Sequence, residues 1–217
     1  MAVDFEEARA RMIAEQLEAR GFQDAAVLTA IGRVPRHLFV EPGLWSRAYD
    51  DTPLPIGERQ TISQPYMVAL MTEALELQGG ERVLEVGTGS GYQAAVLAEM
   101  GARVLSLERI PVLAERAREV LATLGYDARV TVEVSDGTLG WSAGAPFDAV
   151  LVTAGAPRIP RPLVEQLGTE GRLVLPMGDD EVQSLVRIRR GPGGLAEEYL
   201  GECRFVKLLG SYGWEEP

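Results

Sequence analysis

The sequence is poor in residues on which much enzyme chemistry depends, with one cysteine (Cys203), one histidine (His37) and one lysine (Lys207) among 217 residues. A lone cysteine cannot form a disulfide within the chain or build a cysteine-rich metal site. We therefore predict no bound metal. His37 invites a catalytic interpretation, but no Cys or Asp motif surrounds it, so a structural or surface role is favoured.

Long apolar runs and an excess of positive charge are also missing. No apolar run approaches the length that spans a bilayer, and the first residues lack the basic and apolar regions of a secretion signal. The 21 lysines and arginines against 32 acids give a net charge of −11, which disfavours binding along a phosphate backbone. We expect a cytoplasmic, monomeric enzyme or binding protein without a nucleic-acid or membrane partner.

A glycine-rich stretch near the middle of the chain organises the rest. Val83 to Val86 has the pattern of a buried parallel strand, and Gly87, Gly89 and Gly91 follow at alternate positions before an apolar helical pattern begins at Ala94. Such a turn brings backbone N–H groups and the positive end of a helix up to a ligand. It predicts a nucleotide-type half-site in a doubly wound sheet. A tight turn without a ligand is the alternative.

Alternating strand and helix patterns surround this turn. Amphipathic helices are predicted at 4–20, ending at Gly21, and at 24–31, capped by Asp24. Strands are predicted at 103–108, 130–134, 147–153, 171–176, 182–189 and 199–207, the last two joined through Gly191-Pro-Gly-Gly194. We predict an α/β fold, a doubly wound Rossmann-like sheet with helices on both faces and an N-terminal helical extension. One domain spans 1–217, with helices and a loop in 1–80 and the ligand-binding sheet in 81–217.

The glycine spacing distinguishes between ligands. A dinucleotide fingerprint requires a small third residue at position 92, where this chain has Tyr92. Glu85 can meet a cationic amino group, and the E-x-G-x-G-x-G form resembles motif I of class I S-adenosylmethionine-dependent methyltransferases. Glu108 follows Gly87 by 21 residues, where an acid reaches ribose hydroxyls. Asp136 can accept from an adenine amino group or belong to a plain Asp-Gly turn.

Ser63 lies in a polar turn, Gln60–Pro65, just ahead of a helical pattern that begins at Tyr66. Its hydroxyl either caps this helix or faces the cleft of the predicted ligand site. The periodicity by itself favours the cap, and both interpretations stay open on this evidence.

Several longer stretches carry a more specific resemblance. They are 34–40 (VPRHLFV), 54–57 (LPIG), 60–66 (QTISQPY), 83–93 (VLEVGTGSGYQ), 145–153 (APFDAVLVT) and Arg204-Phe-Val206 as a last strand. Nearly end to end, the chain resembles the protein-L-isoaspartate O-methyltransferases. The resemblance implies methyl transfer from S-adenosyl-L-methionine to the free α-carboxyl of L-isoaspartyl, and less well D-aspartyl, residues in damaged proteins and peptides. The ester then leads through a succinimide to aspartate.

The resemblance also implies roles for individual residues. Ser63 lies at the active site beside the isoaspartyl carboxylate. The implied cofactor-binding residues are Thr61, Ile62, Glu85, Gly87, Thr88, Gly89, Ser90, Gly91, Glu108, Arg109, Asp136 and Gly137. The implied substrate-binding residues are Ile56, Gln64, Thr153 and Ala154. Because a carboxylate with a pKa of about 4 is ionised at neutral pH, the reaction needs no general base.

Three positions depart from the family's pattern, since Arg59 and Ser135 replace glycines and Gly155 replaces an alanine. None removes a group that the chemistry needs. The alternative functions are a class I methyltransferase acting on RNA or a small molecule, a nicotinamide dehydrogenase and a non-catalytic cofactor-binding protein. The acidic charge disfavours RNA, Tyr92 disfavours the dehydrogenase, and a binding protein would be expected to lose Ser63.

Overall fold

The computed structural model describes residues 3–215, and short helices with a two-stranded hairpin precede its main sheet. They are α1 (Phe5–Met12), α2 (Ala25–Arg33), β1 (Leu54–Gly57), β2 (Gln60–Ile62) and α3 (Pro65–Ala74). The predicted cap of α2 is confirmed, because the Asp24 carboxylate accepts from the backbone N–H groups of Ala26 and Val27. Among the described residues, no helix combines the length and apolar character needed to cross a membrane.

The first predicted helix is continuous in extent but not regular. After α1 the chain makes a π-helical turn at Ile13–Leu17 and a 3₁₀ turn at Glu18–Arg20. Gly21 ends the segment in the left-handed region with a φ of 93°, as expected for a glycine after a helix. The π and 3₁₀ turns are too short for an apolar period in the sequence to distinguish them from a continuation of the α-helix.

The main sheet has seven strands, and five of them are parallel. The remaining elements are β3 (Arg82–Val86), α4 (Tyr92–Glu99), β4 (Arg103–Glu108), α5 (Pro111–Thr123), β5 (Val130–Val134), β6 (Phe147–Val152), α6 (Arg161–Glu165), β7 (Leu167–Gly178), β8 (Gln183–Gly191) and β9 (Gly194–Cys203). The strand order is β5-β4-β3-β6-β7-β8-β9, and the pairs β7–β8 and β8–β9 are antiparallel. The predicted doubly wound α/β sheet is confirmed.

The strand order reverses direction at the pair of β3 and β6. The chain moves outward from β3 to β4 and β5, then returns to place β6 on the other side of β3. At such a switch point the loops after neighbouring strands diverge and leave a crevice at the carboxyl edge of the sheet. The glycine turn after β3 and the loop after β6 therefore lie side by side.

Hydrophobic side chains are buried on both faces of the sheet, but the two faces are covered unequally. One face packs against α2, α3, α4 and α5, and this cluster runs from Met12 through Leu97 to Leu185. The other face packs against α6 and the C-terminal segment, with Leu163 and Leu208 fully or nearly buried. Helices from 1–80 and strands from 81–217 thus share the first cluster.

The prediction for the last strand is wrong in its bounds. The strand spans Gly194–Cys203, so Arg204-Phe-Val206 and Lys207 follow it instead of belonging to it. The cause is the tight connection, in which Gly191 pairs with Gly194 and the strand begins at once. The first six residues of this edge strand are exposed, so no buried apolar alternation marks its start.

Candidate active site

An open cavity lies at the carboxyl edge of the sheet, at the β3–β6 switch point. Small-molecule sites in open α/β sheets lie at this position. Its walls come from the loop before α3, the turn after β3, the end of β4, the loop after β6 and the C-terminal segment. The structure brings together there the predicted residues Thr61, Ile62, Ser63, Gly87, Thr88, Gly89, Ser90, Glu108, Arg109, Gly137, Thr153 and Ala154.

The glycine turn leaves the backbone bare where it meets the cavity. Gly87, Gly89 and Gly91 have φ values of 98°, 53° and 87°, which residues with a Cβ rarely adopt. A Cβ on Gly87 would lie 2.4 Å from Thr153 Oγ1. That hydroxyl instead donates to the Gly87 carbonyl over 2.6 Å. The side chain of Thr153, predicted to bind substrate, thus also supports the turn.

Glu108 ends β4 directly opposite this turn and is 5% exposed. Its Oε2 accepts from the Gly89 N–H over 2.8 Å, and its Oε1 accepts from the Ile110 N–H over 2.9 Å. Each carboxylate oxygen has a second lone pair. The residue therefore fixes the turn and still offers acceptors to a pair of hydroxyl groups in the cavity.

Glu85 lies beneath the turn and does not line the cavity. It is fully buried, and the Ser106 hydroxyl donates to its Oε2 while Oε1 has no hydrogen-bond partner. Ser106 Oγ also contacts Thr88 Oγ1 at 2.5 Å, which links the carboxyl to the turn. Burial raises the pKa of Glu85 to about 8, although the Ser106 hydrogen bond acts in the opposite direction. Its contact with a cationic amino group stays a prediction.

Asp136 holds the C-terminal segment in this structure. Its carboxylate accepts from Thr138 N at 2.9 Å, Thr138 Oγ1 at 2.6 Å and Ser211 N at 2.8 Å. Burial would raise its pKa, but these hydrogen bonds outweigh it and lower the pKa. A Cβ on Gly210 would lie 2.2 Å from Asp136 Oδ1, so the segment packs directly on the carboxylate. The contact of Asp136 with adenine therefore stays a prediction.

Three further predicted residues lie just outside the cavity wall. Ile56 borders a neighbouring cavity, which shares Gly89 and Ser90 with the first. The Gln64 amide donates to Asp51 Oδ1 over 2.8 Å. A Cβ on Gly91 would lie 3.3 Å from α5 side chains, so this glycine permits close helix packing. Their predicted roles in ligand binding remain predictions.

Ser63 occupies the cavity wall and not a helix cap. Helix α3 begins at Pro65 without a side-chain cap, and the Ser63 carbonyl accepts from Arg36 Nη2 over 2.7 Å. Ser63 lines the same cavity as Gly87 and Gly89 of the glycine turn. This position favours a role for Ser63 in the ligand cleft over a role as a helix cap.

The hairpin before Ser63 turns through two residues that are not glycine. Glu58 and Arg59 have φ values of 50° and 58°, the left-handed pair that a two-residue hairpin turn requires. Glycine adopts this conformation at lower cost than arginine. The departure at Arg59 is thus a source of backbone strain next to the site.

The departure at Gly155 has a packing reason. A Cβ there would lie 2.4 Å from Gln183 Nε2. The Gln183 amide donates to the Phe205 carbonyl over 3.2 Å and accepts from the Phe205 N–H over 2.8 Å. Glycine therefore leaves room for the side chain that holds the start of the C-terminal segment. For Ser135, nothing in its surroundings explains the replacement of glycine.

His37 lies among aromatic side chains away from the cavity. Its ring stacks on Phe5 with centroids 3.9 Å apart, and Nδ1 lies 2.8 Å from the Tyr49 hydroxyl. Burial, and then the charge of Arg9, lower the pKa of His37. This placement agrees with a structural histidine.

Sequence reasoning missed the part of the cavity wall that follows β9. Val206, Lys207, Leu208 and Leu209 line the cavity. The Lys207 ammonium lies 2.7 Å from Asp180 Oδ2. The only signal was the Arg204-Phe-Val206 motif, which we assigned to a strand. Tyr92 and Gln93, at the start of α4, also contribute to the wall.

Comparison with known proteins identifies relatives along nearly the whole chain. The family model described as protein-L-isoaspartate(D-aspartate) O-methyltransferase matches residues 7–213. A protein-L-isoaspartate O-methyltransferase of Syntrophobacter fumaroxidans is 58% identical, over 98% of this chain and 99% of the relative. One of Geobacter metallireducens is 56% identical over 98% of each chain.

Solved structures agree with these relatives. A protein-L-isoaspartate O-methyltransferase superposes with a TM-score of 0.83 and 30% identity, over 94% of this chain and 67% of that one. A Plasmodium falciparum protein solved with S-adenosyl-L-homocysteine gives 0.81 and 26%, over 96% and 99%. On the extent of these matches, the chain belongs to the protein-L-isoaspartate(D-aspartate) O-methyltransferase family.

Proposed function

We propose that this chain methylates the free α-carboxyl of L-isoaspartyl residues, and less efficiently of D-aspartyl residues, in damaged proteins and peptides. The product is a methyl ester that leads through a succinimide to aspartate, so the activity is protein repair. Family membership supports this substrate. The observation that carries it is the position of Ser63, which lines the same cavity as the glycine turn.

S-Adenosyl-L-methionine supplies the methyl group, which is electrophilic because it is bonded to a positively charged sulfonium sulfur. The chain offers a bare glycine backbone and the free lone pairs of Glu108, which suit an adenosyl ligand with ribose hydroxyls. Leu107 and Ile110 add apolar surface to the same wall. We assign cofactor binding to the predicted residues in this wall, from Thr61 to Gly137. Glu85 and Asp136 act through the turn and the C-terminal segment that they support.

On the substrate side, Ser63 holds the carboxylate by donating a hydrogen bond from its hydroxyl. The backbone from Thr61 to Gln64 positions the substrate and the cofactor. Ile56, Thr153 and Ala154 lie around the acceptor carboxylate. The carboxylate is already ionised at neutral pH, so no side chain has to remove a proton. Catalysis then depends on alignment and on removing water from the nucleophile.

The test is transfer of labelled methyl to two peptides of identical sequence, one with isoaspartate and one with aspartate at a single position. We expect base-labile label on the isoaspartyl peptide alone. Ser63→Ala should lower turnover while the affinity for S-adenosyl-L-homocysteine stays nearly unchanged. Ser142→Ala, at an exposed serine near the amino end of β6, is the matched control.

No transfer to either peptide, with the cofactor still bound, would move the assignment to a different methyl acceptor. Equal loss of cofactor binding in Ser63→Ala would make the serine a structural residue only. We further propose a cytoplasmic, monomeric enzyme that does not act on nucleic acid. The net charge of −11 supports the last point, and gel filtration at several concentrations tests the oligomeric state.

A further inference from the structure

Arg36 is a fully buried arginine directly behind the Ser63 loop. Its Nε donates to the Ala48 carbonyl over 2.7 Å, and its Nη2 donates to the Ser63 carbonyl over 2.7 Å. Its Cζ lies 4.9 Å from the ring centroid of Tyr92, a residue of the cavity wall. One side chain thus joins the Ser63 loop to the helix that follows the glycine turn.

The charge of this guanidinium has no counter-charge in the fold. No ion pair among residues 3–215 includes Arg36. Its buried Nη1 and the buried Tyr92 hydroxyl lie close to each other without forming a hydrogen bond of ordinary geometry. Burial lowers its pKa, and the groups that oppose this are the phenols of Tyr92 and Tyr49. Burial raises the pKa of Tyr92 to about 12, so this phenol is neutral at pH 7. An arginine guanidinium remains protonated in proteins.

A buried charge without a partner destabilises a fold, so one that lies beside a ligand cavity implies an anionic ligand as its partner. Lys207 lines the cavity itself and differs in this respect, because its ammonium is paired with Asp180. The Arg36 charge lies behind Ser63, the residue proposed above to hold the acceptor carboxylate.

We propose that Arg36 determines the acceptor specificity of this site, favouring a carboxylate over a neutral group of the same shape. The inference rests on the proposed function. Arg36 does not touch the substrate, so it is a positioning residue that acts through the Ser63 backbone and through space. At an effective dielectric constant of about 20, two unit charges roughly 8 Å apart interact by an amount equal to about a 30-fold change in affinity, which sets the scale of the expected effect.

The test compares two peptides that differ only in the charge of the acceptor. One contains L-isoaspartate, and the other contains L-isoasparagine, whose neutral α-carboxamide has nearly the same shape. Binding of each is measured by calorimetry with saturating S-adenosyl-L-homocysteine. That ligand lacks the positive sulfonium and is the same in every variant, so a change in the affinity ratio between variants reports the charge at position 36. We expect wild type to prefer the carboxylate by at least about tenfold.

Arg36→Met removes the charge and should bring this ratio close to one. Arg36→Lys keeps the charge and should retain most of the preference while weakening both peptides, because the two carbonyl contacts are lost. Arg82→Met is the matched control. Arg82 also donates to two carbonyls and lies over an aromatic ring, but it is exposed at the amino end of β3. Its ratio should equal that of wild type.

A purely structural role for Arg36 would lower both affinities equally and leave the ratio unchanged in Arg36→Met, which would overturn the inference. If Arg36→Met does not fold, two other results overturn the inference. One is that wild type binds the two peptides with equal affinity, and the other is that Arg36→Lys loses the preference for the carboxylate. Failure of the proposed function looks different, since wild type would then not methylate the isoaspartyl peptide at all.

Discussion

The carboxyl of Glu85 is buried beneath the glycine turn, and its charge can be tested by Glu85→Gln. The side chain is fully buried with one oxygen unpartnered, and burial raises its pKa from 4.5 to about 8. Between these pH values the folded chain holds a proton that the unfolded chain has lost. The free energy of unfolding of wild type should therefore fall as the pH rises through this window. Glutamine resembles the protonated acid and does not titrate.

The expected magnitude follows from the one proton involved. The slope is about 1.4 kcal/mol per pH unit. From pH 5.5 to pH 7.5, wild type should lose roughly 2–3 kcal/mol relative to Glu85→Gln, whatever constant offset the amide introduces. For a chain of this size, the difference corresponds to a relative shift in melting temperature of roughly 5–10 °C.

The assay is denaturant unfolding of wild type and Glu85→Gln without added cofactor, at both pH values and at constant ionic strength. Glu197→Gln, on the exposed part of β9, is the control for removing a glutamate charge. Parallel pH profiles for wild type and Glu85→Gln would refute the reasoning. They would mean that Glu85 has the same proton affinity in the folded and unfolded chain.

Three further predictions concern other elements. Arg59→Gly should raise the free energy of unfolding by about 0.5–1 kcal/mol in denaturant melts, because relief of the strained left-handed backbone outweighs the added entropy of the unfolded chain. Arg59→Ala keeps the Cβ and should not raise the free energy of unfolding. Because the pKa of His37 is lowered in the folded chain, its contribution to stability is present above about pH 6.5 and is lost as the pH falls through the folded pKa. The difference in unfolding free energy between wild type and His37→Gln should therefore shrink on acidification. A difference that does not change with pH would contradict this. In Asp136→Asn, an amide NH2 donor replaces the carboxylate oxygen that accepts from the Ser211 N–H. Backbone hydrogen exchange should therefore accelerate at 209–214. Unchanged exchange would show that other contacts hold this segment.

Local patterns allowed much of the fold to be predicted. The buried strands before and after the glycine turn contain apolar runs that fit a sheet covered on both faces, and β4 and β5 have the predicted bounds. Gly87, Gly89, Glu108 and residues 60–63 line one cavity, and the ligand-binding roles that the spacing and the family resemblance imply for them stay predictions. These features follow from residues close in sequence, so a one-dimensional pattern contains them.

Only the tertiary structure shows which polar groups have hydrogen-bond or ion-pair partners within the protein. Nothing near Arg36 in sequence shows that it is buried against the Ser63 carbonyl, 27 residues away. Asp136 meets Ser211 across 75 residues, and Glu85 meets Ser106 across 21. Contacts between distant segments leave no periodic signal along the chain. The sequence by itself therefore determined the sheet, the turn and the chemistry of the site, while packing determined which charges remain unpaired beside it.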